Sequence, residues 1–404
     1  MKTKWIRLIA LTLALLLLAI PAIGCETSSG DPQDTDTSDS STSTDEITDE
    51  TTAAESESAT EAETEDTYVY EQHTFSTLDN LDKLKVTGRS VTTDKGITVD
   101  WSGSGIEFRA RCHGNVKVTV TSSHAFNFKL YVDDNKATSF AVSAGTRSYL
   151  IGMSLDKGEH TFRLVKQAAV ESSNNGVLVT IDAIEMKGDL LERPADAPYL
   201  IEFIGDSITC GVGSLAENAP NAPGSYAYLC AEQLGTDYSM VSISGIGLLK
   251  STSRHNGLTM LTTYTLNNYY RNMMNKYKPD RQADVVVINL NTNDKGGMTA
   301  DQQDTYKAAA KLLINQIREI HGEDVKIVWL YGMMVGYNTG YCDIWADEVL
   351  AELGGEAAGL YSKKMPLNTQ GAANHPSSKG HQTAARVLAE FLTEKGLIPA
   401  PTAD

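Results

Sequence analysis

Apolar side chains recur at every second position between residues 97 and 181. Ile97-Val99-Trp101, Ile106-Phe108-Ala110, Val116-Val118-Val120, Phe126-Phe128-Leu130-Val132, Phe162-Leu164 and Val177-Val179-Ile181 all show this spacing. A period of two turns one face of a strand to a core and the other to water. Turn-forming clusters punctuate the runs at Gly103 to Gly105, His113-Gly114-Asn115, Asp133-Asp134-Asn135 and Asp156-Lys157-Gly158. Short strands at this spacing predict an antiparallel β-sandwich, with no helical period among them.

Beyond residue 198 the pattern is different. Leu200 to Ile204, Ser239 to Ile243, Val285 to Leu290 and Val325 to Leu330 are apolar-rich runs of strand length. Between and after them, Tyr226 to Leu234, Thr262 to Tyr277, Asp301 to Ile320 and Gln382 to Lys395 have helical character; Ala308, Leu312, Ile317 and Ile320 recur at helical intervals. Strands that alternate with helices predict a parallel sheet covered on both faces, hence an α/β domain. In such sheets ligands bind beyond the carboxyl ends of the strands.

The N-terminus reads as a targeting signal. Lys2, Lys4 and Arg7 precede an apolar run, Leu8 to Ile20, of 13 residues. That is short of the roughly 20 residues a bilayer span needs and suits a secretory signal. It ends in Ala22-Ile23-Gly24-Cys25, small residues before a cysteine. This resembles the lipobox of bacterial lipoproteins, which implies lipidation at Cys25. The expected location is the outer face of a bacterial membrane, held by a lipid anchor only; plain secretion is the alternative.

Residues 26–66 hold 15 acidic, no basic and 18 Ser or Thr residues. Such a segment cannot bury enough apolar surface to offset chain entropy, so a disordered tether is expected. It also accounts for most of the formal charge of −18; from residue 67 onward 31 basic and 37 acidic residues leave −6. An acidic chain without clustered Lys and Arg excludes nucleic acid as a partner. The resulting division is a signal peptide at 1–24, a linker at 25–70, a β-sandwich at 71–193 and an α/β domain at 194–404. Cys112, Cys210, Cys230 and Cys342 lack metal-type pairing and read as buried small hydrophobes rather than a disulfide framework.

Three segments after strands carry candidate chemistry. Gly205-Asp206-Ser207 follows the first parallel strand, where a tight turn would present the Ser207 hydroxyl, next to a helix N-terminus that favours an oxyanion. Alone, the tripeptide equally makes a turn or a helix cap. Asn289-Leu290-Asn291-Thr292-Asn293-Asp294 follows the third strand and supplies either a side-chain amide donor or an Asx turn. Asn374-His375-Pro376-Ser377-Ser378-Lys379-Gly380-His381 precedes the last helix. His375, before proline, is expected to be extended and available as a base, with Ser377 or Ser378 as the cap and His381 structural. No acidic or cysteine ligand accompanies the two histidines, so no metal is expected.

The order Ser, Gly, Asn, His on successive strand ends resembles the SGNH (GDSL-type) hydrolase superfamily over residues 198–398. Gly205-Asp206-Ser207 matches the nucleophile block, Gly245 in Ser244-Gly245-Ile246-Gly247 the backbone donor, Asn293 the side-chain donor and His375 the base. With a β-rich domain in front, the chain resembles carbohydrate esterase family two, in which a jelly roll precedes the SGNH domain. The resemblance implies removal of acetyl groups from polysaccharides such as xylan and glucomannan, without a cofactor. It implies catalysis by Ser207 and His375, with an oxyanion hole from Ser207, Gly245 and Asn293.

The sequence departs from the pattern at identifiable positions. Asn291 stands where the third block starts with glycine. Ala372 and Ala373 stand where an aspartate would orient the histidine, which implies a Ser–His dyad held by a backbone carbonyl. Asn374 replaces an aromatic, so a sugar platform would come from elsewhere, with Tyr341 and Trp345 as candidates. Two other readings remain at this level: a glycan-binding lipoprotein on a degenerate esterase scaffold, and a GDSL-type lipid esterase or thioesterase.

Overall fold

The computed structural model describes residues 66–167, 177–215, 219–268, 276–295, 297–334 and 340–401. The proposed signal, Cys25 and the tether as far as residue 65 lie outside the described residues. Asp66 to Tyr70, expected in the linker, lie instead against the sandwich, with Arg111 3.3 Å from Asp66 and Tyr70 edge-on to His113.

Among the described residues the N-terminal region is one nine-stranded sheet. Its strands are β1 (Gln72–Ser76), β2 (Lys85–Thr87), β3 (Ser90–Thr93), β4 (Gly96–Val99), β5 (Gly105–Ser122), β6 (Phe126–Val132), β7 (Thr138–Val142), β8 (Gly145–Lys166) and β9 (Val179–Leu190). They pair antiparallel in the order β3-β4-β9-β5-β8-β6-β7, with β1 beside β9 and β2 beside β5. The alternating positions do point inward: Val99, Ile106, Phe108, Val118, Phe128, Phe162 and Ile181 share one buried cluster. That cluster draws only on this sheet and its flanking turns, so the sheet must curl over itself, which makes it a sandwich.

Two expected turns are bulges instead. His113-Gly114-Asn115 lies inside the 18-residue β5, where the register with β8 shifts between Cys112 and Lys117. Asp156-Lys157-Gly158 lies within β8. Gly114 at φ 73°, Ser154 at φ 51° and Gly158 at φ 158° absorb the bends. Turn-type residues signal a local change of direction, and a bulge bends a strand without ending it.

The C-terminal region carries a parallel sheet of β10 (Leu200–Gly205), β11 (Asp237–Ser242), β12 (Val285–Asn289), β13 (Lys326–Tyr331) and β14 (Leu360–Lys364), in the order β11-β10-β12-β13-β14. The helices are α1 (Tyr226–Leu234), α2 (Met260–Thr263), α3 (Asn291–Lys295), α4 (Gln303–His321), α5 (Cys342–Glu352) and α6 (Ser378–Glu394). Successive strand residues feed opposite cores. Val285 and Val287 pack with α1 and α6, and Val286 and Ile288 with α2, α4 and α5. This two-sided burial is why the strands read as unbroken apolar runs. The helix expected from Thr262 to Tyr277 ends at Thr263, and Leu266 bridges antiparallel to Lys276.

The two regions are joined by buried polar contacts. Arg89, between β2 and β3, pairs with Glu202 of β10 at 3.0 Å, both side chains essentially inaccessible. Glu202 also accepts from Tyr264 Oη at 2.9 Å and Ser239 Oγ at 3.1 Å, and lies 3.1 Å from His321 Nε2. Burial alone would raise the Glu202 carboxyl, but Arg89 and His321 hold it well below the usual carboxylate range. Trp101, expected to continue the β4 alternation, instead packs in the α/β core and donates to Asn267 O at 2.6 Å.

Candidate active site

Ser207 follows β10 at the carboxyl edge of the parallel sheet. Gly205 is needed there because a Cβ would lie 2.0 Å from Thr209 Oγ1 and 3.0 Å from Asn289 O. Residues 206–214 form turns rather than the expected helix: Cys210 N donates to Asp206 O and Val212 N to Ser207 O, each at 3.0 Å. The next helix is α1, so the donors around Ser207 come from a turn.

His375 reaches this turn from the opposite side of the chain. Its Nε2 lies 2.8 Å from Ser207 Oγ. Its Nδ1 lies 3.2 Å from both Ala372 O and Ala373 O. With two carbonyl acceptors at Nδ1, the proton sits on that nitrogen and Nε2 is free to accept from the serine. Ala373 and Asn374 hold left-handed conformations, φ 51° and 59°, and this twist brings both carbonyls to the Nδ1 edge of the ring. His375 itself is extended, at φ −77° and ψ 167° before Pro376, and Ser377 caps α6 by accepting from Gly380 N. Burial lowers the His375 pKa, and the two carbonyls oppose that shift.

His381 stays away from the serine. It is fully buried, accepts from Tyr226 N at 3.2 Å and lies 3.4 Å from Val212 O. Burial brings its pKa down to about 4, a neutral structural imidazole.

Gly245 sits at φ 80°, in the left-handed region, and a Cβ there would lie 2.7 Å from Thr252 Oγ1. The amides of Ser207 and Gly245 have no hydrogen-bond acceptor among the described residues. The segment expected as a strand end or Asx turn is the short helix α3. From it Asn293 donates to Ile246 O at 2.7 Å and to Asp206 Oδ2 at 3.2 Å. Asp294 accepts from the amides of Leu248, Leu249 and Lys250 at 2.7, 2.8 and 2.9 Å, tying α3 to the loop after Gly245.

The carboxyls beneath the site are unusual. Complete burial pushes Asp206 up to about 8; the Ile208 amide opposes this and the Asp294 charge adds to it. Asp294, raised by burial against its three amides, reaches about 6. Burial thus favours the neutral acid at Asp206, a residue to which the sequence assigns no role of its own. The signal, an aspartate flanked by Gly205 and Ser207 at a strand end, says nothing about burial.

Residues 203–383 match the GDSL-like Lipase/Acylhydrolase family, and residues 86–194 match the Carbohydrate esterase 2 N-terminal domain. The chain joins a GDSL-type hydrolase domain to a carbohydrate esterase 2 N-terminal domain, the plan of carbohydrate esterase family two. A solved family-two carbohydrate esterase from Clostridium thermocellum, in complex with cellohexaose, is 29% identical at a TM-score of 0.70, covering 78% of this chain and 99% of that one. The cellulase/esterase CelE of Acetivibrio thermocellus is 30% identical over 73% of this GDSL-type chain, which spans 37% of CelE's length. The acetylxylan esterase / glucomannan deacetylase of Cellvibrio japonicus is 27% identical over 66% of this chain and 78% of its own. A family-two structure from Cellvibrio japonicus, 20% identical at a TM-score of 0.72, shares the fold.

The rest of the predicted site separates. Trp345 is a core residue, 4% exposed, stacked at 5.1 Å on Tyr341, which is 47% exposed. Cys112, Cys210, Cys230 and Cys342 are buried, and no disulfide joins them among the described residues. Among the described residues no group of three or more His, Cys, Asp or Glu is arranged to hold a metal ion.

Proposed function

We propose that this protein hydrolyses acetyl esters on plant polysaccharides of the xylan and glucomannan type. The observation that carries the reading is the 2.8 Å contact of His375 Nε2 with Ser207 Oγ, with two carbonyls on Nδ1. Ser207 attacks the acetyl carbonyl as His375 takes its proton. The oxyanion forms against the amides of Ser207 and Gly245. Asn293 joins them by exchanging its longer contact, to Asp206, for the oxyanion. His375 then protonates the departing sugar oxygen, and water releases acetate by the same steps in reverse. The carbonyls keep the imidazole in the productive tautomer, which is the service whose loss costs about 10⁴ in turnover in the serine-protease case.

The polysaccharide substrate is supported by the sandwich domain and by the acetylxylan esterase / glucomannan deacetylase relative. Anchoring through Cys25 at the outer face of a bacterial membrane belongs to the same reading. Its support is the short apolar run before Ala22-Ile23-Gly24-Cys25. A glycan-binding protein without activity would have no use for an aligned serine and imidazole.

The test is release of acetate from acetylated xylan and glucomannan, alongside long-chain acyl esters. Ser207→Ala is expected to abolish release, a loss on the order of 10⁴ or more, while the thermal midpoint stays put. Equally slow release by both proteins would return the chain to the binding-protein reading.

A further inference from the structure

The glycine expected at 291 is absent, and the structure shows what stands in its place. Asn291 is buried, and its side chain is the centre of a chain of polar contacts. Tyr306 Oη, on α4, donates to Asn291 Oδ1. Asn291 Nδ2 donates to Asp343 Oδ1 at 2.9 Å. Asp343, in the first turn of α5, takes Lys295 Nζ on its other oxygen at 2.5 Å. Tyr306 and Asp343 are inaccessible to solvent, and the Lys295 side chain is 7% exposed.

Asn291 and Lys295 are four residues apart, so they lie on one face of α3 and both meet Asp343. Asn293 and Asp294 leave the helix elsewhere, toward Ile246 O and the amides of residues 248–250. A five-residue helix has almost no stability of its own. Its rotation about its axis is set by what grips it. Here one face is gripped by α4 and α5, and the other carries the oxyanion donors. A glycine at 291 would leave the Tyr306 hydroxyl and one Asp343 oxygen buried without these partners.

We propose that Tyr306, Asn291, Asp343 and Lys295 form a positioning network that sets the oxyanion half of the site, Asn293 directly and the Gly245 loop through Asp294. The proposal rests on the Ser–His hydrolase reading. It reverses the naive expectation for the motif: restoring glycine at 291 harms this enzyme.

The experiment is steady-state hydrolysis of a small aryl acetate by the whole protein and its variants, with thermal melting alongside. Asn291→Gly is expected to lower kcat about tenfold or more, since small misplacements of catalytic groups are costly, with KM within about twofold. The acid limb of the pH profile should not move, because His375 lies outside the network. Asp343→Asn, which keeps an acceptor for Asn291 but removes the charge facing Lys295, is expected to lose less. The double variant should lose no more than Asn291→Gly alone, as members of one network do. Unchanged or higher kcat in Asn291→Gly, or strictly additive losses, overturns the proposal. If Asn291→Gly does not fold, Lys295→Met carries the test: a kcat loss at constant KM supports the network, and wild-type kcat sinks it. Full activity in Ser207→Ala would instead overturn the Ser–His mechanism on which the proposal rests, independently of position 291.

Discussion

His375 works without a carboxylate, and that has a measurable signature. Its pKa lies below the ordinary imidazole value of 6.5 because burial disfavours the charged ring, while the Ala372 and Ala373 carbonyls only partly compensate. The neutral ring is the base, so activity rises with pH through the His375 ionisation. A lowered pKa moves that rise to the acid side. The acid limb of kcat/KM is expected to have its midpoint below 6.5, measured on an aryl acetate between pH 4 and 8. A midpoint above 6.5 would show a carboxylate or other anion stabilising the imidazolium. Two alanines before the histidine are readable from the chain, but the acceptors that replace the aspartate are backbone atoms, which no residue type announces.

At the scale of elements, the site depends on short irregular pieces held by regular ones. The loop from Gly371 to His375 closes on itself through Gly371 N donating to His375 O at 2.8 Å. Ala373 occupies a left-handed conformation that costs an L-residue about 1–2 kcal/mol. Ala373→Gly is expected to keep the carbonyl in place, retain activity and leave stability equal or higher by up to about 1 kcal/mol, read by urea denaturation. Ala373→Val, whose branched Cβ resists that conformation, is expected to cost about 1–3 kcal/mol and most of kcat, because the loop must leave the imidazole. Wild-type kcat in the valine variant would show that the carbonyls do not orient the ring. Strands β4 to β6, β9 and β10 to β13 and helices α1, α4 and α6 were legible because their apolar patterns report burial, whereas β1, β2, β3 and β7 were not read. Helix α3, strand β14 and helix α5 were not, since they are short or of mixed character.

At the scale of the molecule, the sandwich and the α/β domain are coupled through Arg89 and Glu202. Each side chain is deep in the seam, where a charge without its partner is costly. Arg89→Ala is expected to destabilise the protein by about 3–5 kcal/mol, since it strands the Glu202 carboxylate. Glu202 has a depressed pKa, so its contribution is present above the unfolded carboxylate value of 4.5 and is lost as pH falls below it. The deficit of Arg89→Ala should therefore shrink in acid. Urea titrations of both proteins at pH 7 and pH 3 check this; an equal deficit at both values would remove the ion pair as its cause. Trp101 adds an apolar plug from the sandwich into the other domain's core.

Sequence alone determined the two textures of this protein, because alternation and unbroken apolar runs follow from one-sided and two-sided burial of strands. It also determined the candidate groups Ser207, Gly245, Asn293 and His375, whose order along the chain is a local property of four strand ends. Tertiary structure decided the rest. That two expected turns are bulges depends on the partner strands continuing past them, β8 and β9 beside the bulge in β5 and β5 beside the bulge in β8. That Trp101 leaves its own domain depends on a cavity built by the other. The His375 acceptors are near neighbours in sequence, aimed at the ring by the left-handed backbone at Ala373 and Asn374. The burial of Asp206 and the grip of Asn291 on α4 and α5 come from atoms brought together over longer chain separations. Burial and distance set their chemistry, and neither is a property of a residue read singly.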